Sequence, residues 1–155
     1  MSQIATFECE VIMKEVNLIG LCITANFPNS FPDAAIKIHS EFESRKAEIK
    51  GAENYDIIFS PYMCNGILAT YFACLEVSDI SQIPDGMLGF NFPKTEYAKI
   101  SCSNNTIDDG YTKIFEWINL KGYKQKNSSN SSAIEIFYYE DNVDEEKVEI
   151  LIPIQ

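Results

Sequence analysis

The sequence predicts an α+β domain made of two related halves, each with antiparallel strands and one main helix. Three observations predict it. The chain has 155 residues, 46% of them hydrophobic and 12% aromatic, enough for one domain with a real core. Two helix starts resemble one another at a fixed spacing. Strand-like segments flank both helices in the same order, and a turn signal, Ile83-Pro84-Asp85-Gly86, lies between the two sets.

The helices set the spacing. Ser30-Phe31-Pro32-Asp33 reads as a hydroxyl cap followed by an acid, and Thr106-Ile107-Asp108-Asp109 repeats it at 106 − 30 = 76. Ala35, Ile38, His39 and Phe42 form an apolar stripe at helical spacing. Tyr111, Ile114, Phe115 and Ile118 are those positions plus 76. FECEVIM and LIGLCITANF precede the first helix; YDIIFSPYM and ILATYFACLEV follow it. MLGFNF and EYAKISCS precede the second; AIEIFYY and KVEILIPI follow. Each half therefore reads strand–strand–helix–strand–strand, over about 5–78 and 86–154 of a single 1–155 domain. Helices on one side of curved antiparallel sheets, with a ligand cleft at the seam of the halves, are the expected architecture.

Charge and composition exclude several functions. The net charge is −11, and Lys and Arg do not cluster, so no direct nucleic-acid binding and no membrane partner are expected. No apolar run is long enough to span a bilayer, and the start lacks a signal-peptide pattern. Cys9, Cys22, Cys64, Cys74 and Cys102 are an odd set without a C-x-x-C pair. They read as buried free thiols of a cytoplasmic protein. The acidic stretch 140–149 reads as a solvated hairpin. His39 is the lone histidine, so no triad, Cys–His dyad or zinc site assembles, and it reads as a half-buried core residue. Phosphate loops, dinucleotide fingerprints and calcium loops are absent, and no cofactor or metal is expected.

What remains is an acid among aromatics. In SSAIEIFYYED, alternation puts Glu135, Phe137 and Tyr139 on one strand face, with Ile134, Ile136 and Tyr138 on the other. A carboxylate removed from water needs a cation, hydrogen-bond donors or a proton, and aromatic faces attract cations. Such a face is either a receptor for a flat organic cation or a solvent face on which Glu135 pairs with a lysine such as Lys147. The repeat relates Glu135 to Phe59, so Phe59 and Phe137 join the candidate lining.

Several ordered stretches resemble the GyrI-like effector-binding family, which includes DNA gyrase inhibitor-like proteins and the ligand-sensing domains of multidrug-responsive bacterial activators. They are Glu15–Leu21, Tyr71-Phe72-Ala73-Cys74-Leu75-Glu76-Val77, Ile83–Met87 with Phe92-Pro93 and Tyr97-Ala98, Trp117-Ile118 with Gly122-Tyr123, Ala133–Phe137, and Ile152-Pro153-Ile154. Together they cover nearly the whole chain. The resemblance implies a pseudo-two-fold pair of βαββ units with a ligand cleft between them. It also implies that Glu135 is the central acid of an aromatic cage for lipophilic cations. Tyr71, Tyr97 and Trp117 match family positions and complete the expected site. Cys74 stands where the family has Gly, and Phe137 where it has Tyr. The resemblance leaves three functions open: a stand-alone cation-binding module; a hydrolase of cyclopropane-containing genotoxins using Glu135 and Tyr71; and an inhibitor with a protein partner.

Overall fold

The computed structural model describes residues 7–126 and 131–155. Its order is β1 (Cys9–Asn26), α1 (Asp33–Arg45), a short 3-10 turn (Lys46–Glu48), β2 (Ile57–Cys64), β3 (Leu68–Val77), β4 (Leu88–Ser103), α2 (Ile107–Lys121), β5 (Ala133–Tyr138) and β6 (Lys147–Pro153). The strand pairs β1–β3, β2–β3, β4–β6 and β5–β6 are all antiparallel. Among the described residues, six strands and two helices make the α+β fold that the sequence predicts. By contacts the chain forms two compact units, one spanning Val16–Asn91 and the other Phe92–Gln155 together with the segment up to Glu15.

Within each unit the order is strand, helix, strand, strand, and the first strand pairs with the third. The helices bury matching stripes: Ala34, Ile38 and Phe42 in α1, and Gly110, Ile114 and Ile118 in α2. These positions differ by 76 throughout, and Ala35 and Tyr111 stand at the stripe's edge rather than at its centre. The hairpins repeat in register as well: Phe59 faces Cys74 in one unit and Glu135 faces Ile150 in the other, both partners shifted by 76. The leading strands do not keep that shift. Gly20 faces Cys74, and the equivalent Ile150 is faced by Ile100, a shift of 80.

Three local expectations are corrected. The two strand segments expected before each helix are one long strand, β1 or β4. Polar stretches such as Lys14–Asn17 and Pro93–Thr95 interrupt the apolar pattern, but both lie inside continuous strands, and no glycine there supplies a tight turn. The glycines with positive φ, Gly51, Gly66, Gly86 and Gly122, all lie elsewhere. Of these, Gly86 (φ 80°) makes the turn of the IPDG signal, where Met87 N donates to Pro84 O at 3.1 Å.

Neither helix has a side-chain cap. Pro32 and Thr106 occupy the cap positions; Ser30 contributes only its carbonyl, to Ala34 N at 2.8 Å, and the Thr106 hydroxyl instead accepts from Ser103 N at 3.0 Å. The cysteines are free, but Cys22 and Cys64 are exposed and only Cys74 and Cys102 are buried. Period-2 alternation on a strand does not say which face water covers.

The acidic segment between β5 and β6 is an exposed turn anchored to the β4–α2 loop. Ser103 Oγ donates to Glu145 Oε2 at 2.6 Å, and Asn104 N to Glu146 O at 3.0 Å. The stretch KQKNSSNSS before β5 includes residues 127–130, which lie outside the described residues.

Candidate functional site

Glu135 stands in the middle of β5 on the face covered by α2. Its neighbours two positions away, Ala133 and Phe137, pack on the cluster of Ile100, Cys102, Ile114, Ile118, Val148 and Ile150. Glu135 itself is half-buried. α2 places Tyr111 over it, and the Tyr111 hydroxyl donates to Glu135 Oε2 at 2.5 Å. A hydrogen bond from a neutral donor to a carboxylate is among the stronger kinds, on the order of 1.5–3 kcal/mol.

One turn further along α2, Phe115 stacks on Tyr111 with centroids 6.2 Å apart and planes 22° apart, and it remains 38% exposed. Phe137 stacks on Tyr139 at 6.4 Å and 13°. The carboxylate also reaches Cys102 electrostatically. Burial first, and then the negative charge of Glu135, push that thiol up to about 12.

Lys147, the lysine that could have neutralised Glu135, is engaged elsewhere. It pairs with Glu149 at 3.4 Å and lies over the Tyr138 ring at 4.8 Å. Glu149 is buried and also takes Lys99 at 3.2 Å and the Tyr138 hydroxyl at 2.5 Å. Burial opposes its charge, but the Tyr138 hydrogen bond and the two ammonium groups outweigh burial and hold its pKa below the usual value. This network lies on the sheet face opposite Glu135, as the register of β5 and β6 requires.

The other expected site residues divide. Phe137 shares the face of Glu135. Tyr97 does not: it faces Pro153, in the row of Lys99, Leu151 and Ile134, so the register puts it on the opposite face. Its side chain is fully buried, and its hydroxyl makes no well-formed hydrogen bond among the described residues. Thr95 lies beside it but donates to Pro93 O at 2.7 Å.

Trp117 is on α2, yet it flanks the buried stripe on the side away from Tyr111 and Phe115, given about 100° per residue. There it packs on the core cluster and on Tyr123, at 5.7 Å and 42°. Phe59 and Tyr71 belong to the Val16–Asn91 unit. Phe59 is buried in β2, and Tyr71 sits in a group of rings with Phe31, His39 and Tyr62 at 5.8–6.4 Å. His39 Nε2 lies 3.0 Å from Ser60 Oγ and 3.4 Å from the Tyr71 hydroxyl. Burial lowers its pKa to about 4, against the opposing pull of Glu43.

Sequence reasoning did not group Tyr111 and Phe115 with Glu135, because both read as packing stripe. The available signal was a phenol and a second ring one turn apart at the stripe's edge, opposite a strand acid. Among the described residues no group of His, Cys, Asp or Glu is placed to hold a metal ion, and no helix is long and apolar enough to cross a membrane.

Solved structures share this α+β fold of six strands and two helices. An integron cassette protein from the mobile metagenome of Vibrio cholerae aligns with a TM-score of 0.67 at 11% identity, covering 96% of this chain and 97% of that one. SAV2435, solved bound to tetraphenylphosphonium, aligns with a TM-score of 0.68 at 9% identity over 97% and 94%. The C-terminal domain of EcmrR aligns with a TM-score of 0.69 at 13% identity over 96% and 98%. At these identities the likeness is one of fold. No curated protein is similar enough in sequence to count as a relative.

The sequence itself matches, over residues 11–154, the family described as Cass2, integron-associated effector binding protein. The chain belongs to that family. The effector-binding class expected from the sequence is thereby shown.

Proposed function

We propose that the chain binds lipophilic aromatic cations, with Glu135 as the anionic contact and aromatic side chains around it. The observation that carries this reading is the Tyr111–Glu135 hydrogen bond at 2.5 Å, with Phe115 stacked on Tyr111 and Phe137 two positions along the strand from Glu135. The phenol orients the carboxylate and satisfies part of one oxygen without neutralising its charge. Rings beside it supply stacking area and cation–π attraction, roughly 0.5–2 kcal/mol each. The tetraphenylphosphonium found on SAV2435 supports the choice of probe.

Phe137 and Glu135 line this site in the reading, with Tyr111 and Phe115 added to them. Phe59, Tyr71, Tyr97 and Trp117 stay as secondary candidates, each tested by alanine substitution. Titration calorimetry with tetraphenylphosphonium tests the central claim. Glu135→Gln, which keeps shape and removes charge, weakens binding at least about tenfold, or ~1.4 kcal/mol. Equal affinity in wild type and variant removes the acid from the mechanism. Turnover of a cyclopropane-containing compound, lost in Glu135→Gln, replaces sequestration or sensing by hydrolysis.

A further inference from the structure

Among the described residues, two acid–phenol pairs lie on opposite faces of the β5–β6 hairpin, and one of them already holds cations. At Glu149 the Tyr138 hydroxyl donates to Oε1 at 2.5 Å. The ammonium groups of Lys99 and Lys147 meet the other oxygen, Oε2, at 3.2 and 3.4 Å. Lys147 also lies over the Tyr138 ring, 4.8 Å from its centroid. Phenol and ammonium thus divide the carboxylate between its two oxygens, and the ring adds cation–π attraction. The arrangement holds the Glu149 pKa below its usual value although the residue is only 5% exposed.

Glu135 repeats the first half of this pattern. Tyr111 donates to one oxygen, Oε2, at 2.5 Å. Phe115 stacks on Tyr111, and Phe137, two positions along the strand from Glu135, stacks on Tyr139. A carboxylate has about four lone-pair sites, so one phenol leaves it able to accept further N–H groups. The two pairs differ in access. Glu149 is buried behind the chain's own lysines, whereas Glu135 is half-buried and Phe115 beside it is 38% exposed.

We propose that the Glu135 site takes protonated aryl amines in preference to quaternary cations, with an N–H of the guest on Oε1 as the lysine ammoniums sit on Oε2 of Glu149. This rests on the cation-binding reading above and names the class of guest within it. Two opposing effects decide the preference. Replacing the N–H by an N-methyl group adds apolar contact with the rings, a factor of about four for one buried methyl. The same replacement removes a hydrogen bond to an ionised acceptor, a factor of about ten or more. The hydrogen bond therefore wins.

Calorimetric titration of the full chain near pH 7 tests this with a matched pair of cations. N,N-Dimethylbenzylammonium carries one N–H, and benzyltrimethylammonium carries none. The first binds at least threefold tighter. Equal affinity, or tighter binding of the quaternary ion, overturns the inference, and this wild-type comparison needs no variant to fold. Glu135→Gln separates the inference from the reading beneath it. Where both hold, the variant weakens both ions and brings their ratio toward one. If the wild type shows no N–H preference and the variant still weakens both ions, only the inference falls. If the variant weakens neither ion, the reading falls and the inference with it. n-Butylammonium stands for a lysine side chain of another protein. It binds at least tenfold more weakly than the tertiary ion, because it brings no ring to stack. Butylammonium binding as tightly assigns the site to protein lysines and overturns the aryl-amine class.

Discussion

At the scale of single residues, the protein turns on how individual polar groups are satisfied. Tyr111→Phe keeps the ring and deletes the donor to Glu135. The expected outcome is a severalfold loss of cation affinity, roughly 1 kcal/mol, read by the same calorimetric titration. A variant that binds as well as wild type shows that the phenol only packs.

His39 gives a pH signature. Its folded pKa, about 4, lies below the ordinary 6.5, so the unfolded chain takes up a proton that the folded protein refuses. The contribution is therefore full above pH 6.5 and is lost as the pH falls from there toward 4. Melting temperatures measured between pH 7 and 5 should fall in the wild type and fall less steeply in His39→Phe. Phenylalanine is what the other copy carries at the equivalent position, Phe115. Parallel slopes would show that His39 keeps its ordinary titration.

At the scale of elements, the two helices solve one packing problem with different residues. Ala34 and Gly110 occupy equivalent places in their buried stripes. A methyl group on Gly110 would meet Cys102 Sγ at 3.0 Å and Ile150 Cδ1 at 3.2 Å. Helix propensity favours Gly110→Ala by about 1 kcal/mol, and overpacking opposes it by about 1–3 kcal/mol. Both neighbours are buried, Cys102 at 1% and Ile150 at 0% exposure, so the substitution should lower the denaturation midpoint. A rise would mean that the sheet yields easily at this point. Ile114→Ala, at the fully buried centre of the stripe, should cost about 2–5 kcal/mol in the same measurement.

The repeat itself was legible in the sequence because stripe and hairpin spacing follow side-chain periodicity. The continuity of β1 and β4 was not, because a break in hydrophobic alternation resembles a turn until backbone φ is known.

At the scale of the whole molecule, net charge sets the solution behaviour. At −11 the folded chain repels itself, while surface pairs such as Arg45–Glu48 at 2.8 Å and Lys46–Glu43 at 2.8 Å return little, because solvent screens them. Raising ionic strength from ~0.01 to ~0.15 M shortens the screening length from about 30 to about 8 Å. The melting temperature should rise by a few degrees on scanning calorimetry, and a fall would mean that attractive pairs dominate.

By itself the sequence determined the α+β class, the duplication and its shift of 76 along helix and hairpin. It also determined that Glu135 shares a strand face with Phe137. These follow from periods of two and 3.6 residues, which are written locally in the chain. Only the tertiary structure decided that Tyr111 reaches Glu135 and that Lys147 serves Glu149 instead. It also decided that Tyr97 and Trp117 stand apart from the acid, on the opposite sheet face and on the far flank of α2. Those outcomes depend on which face a helix covers and on strand register, quantities fixed by packing between distant segments and not by any local pattern.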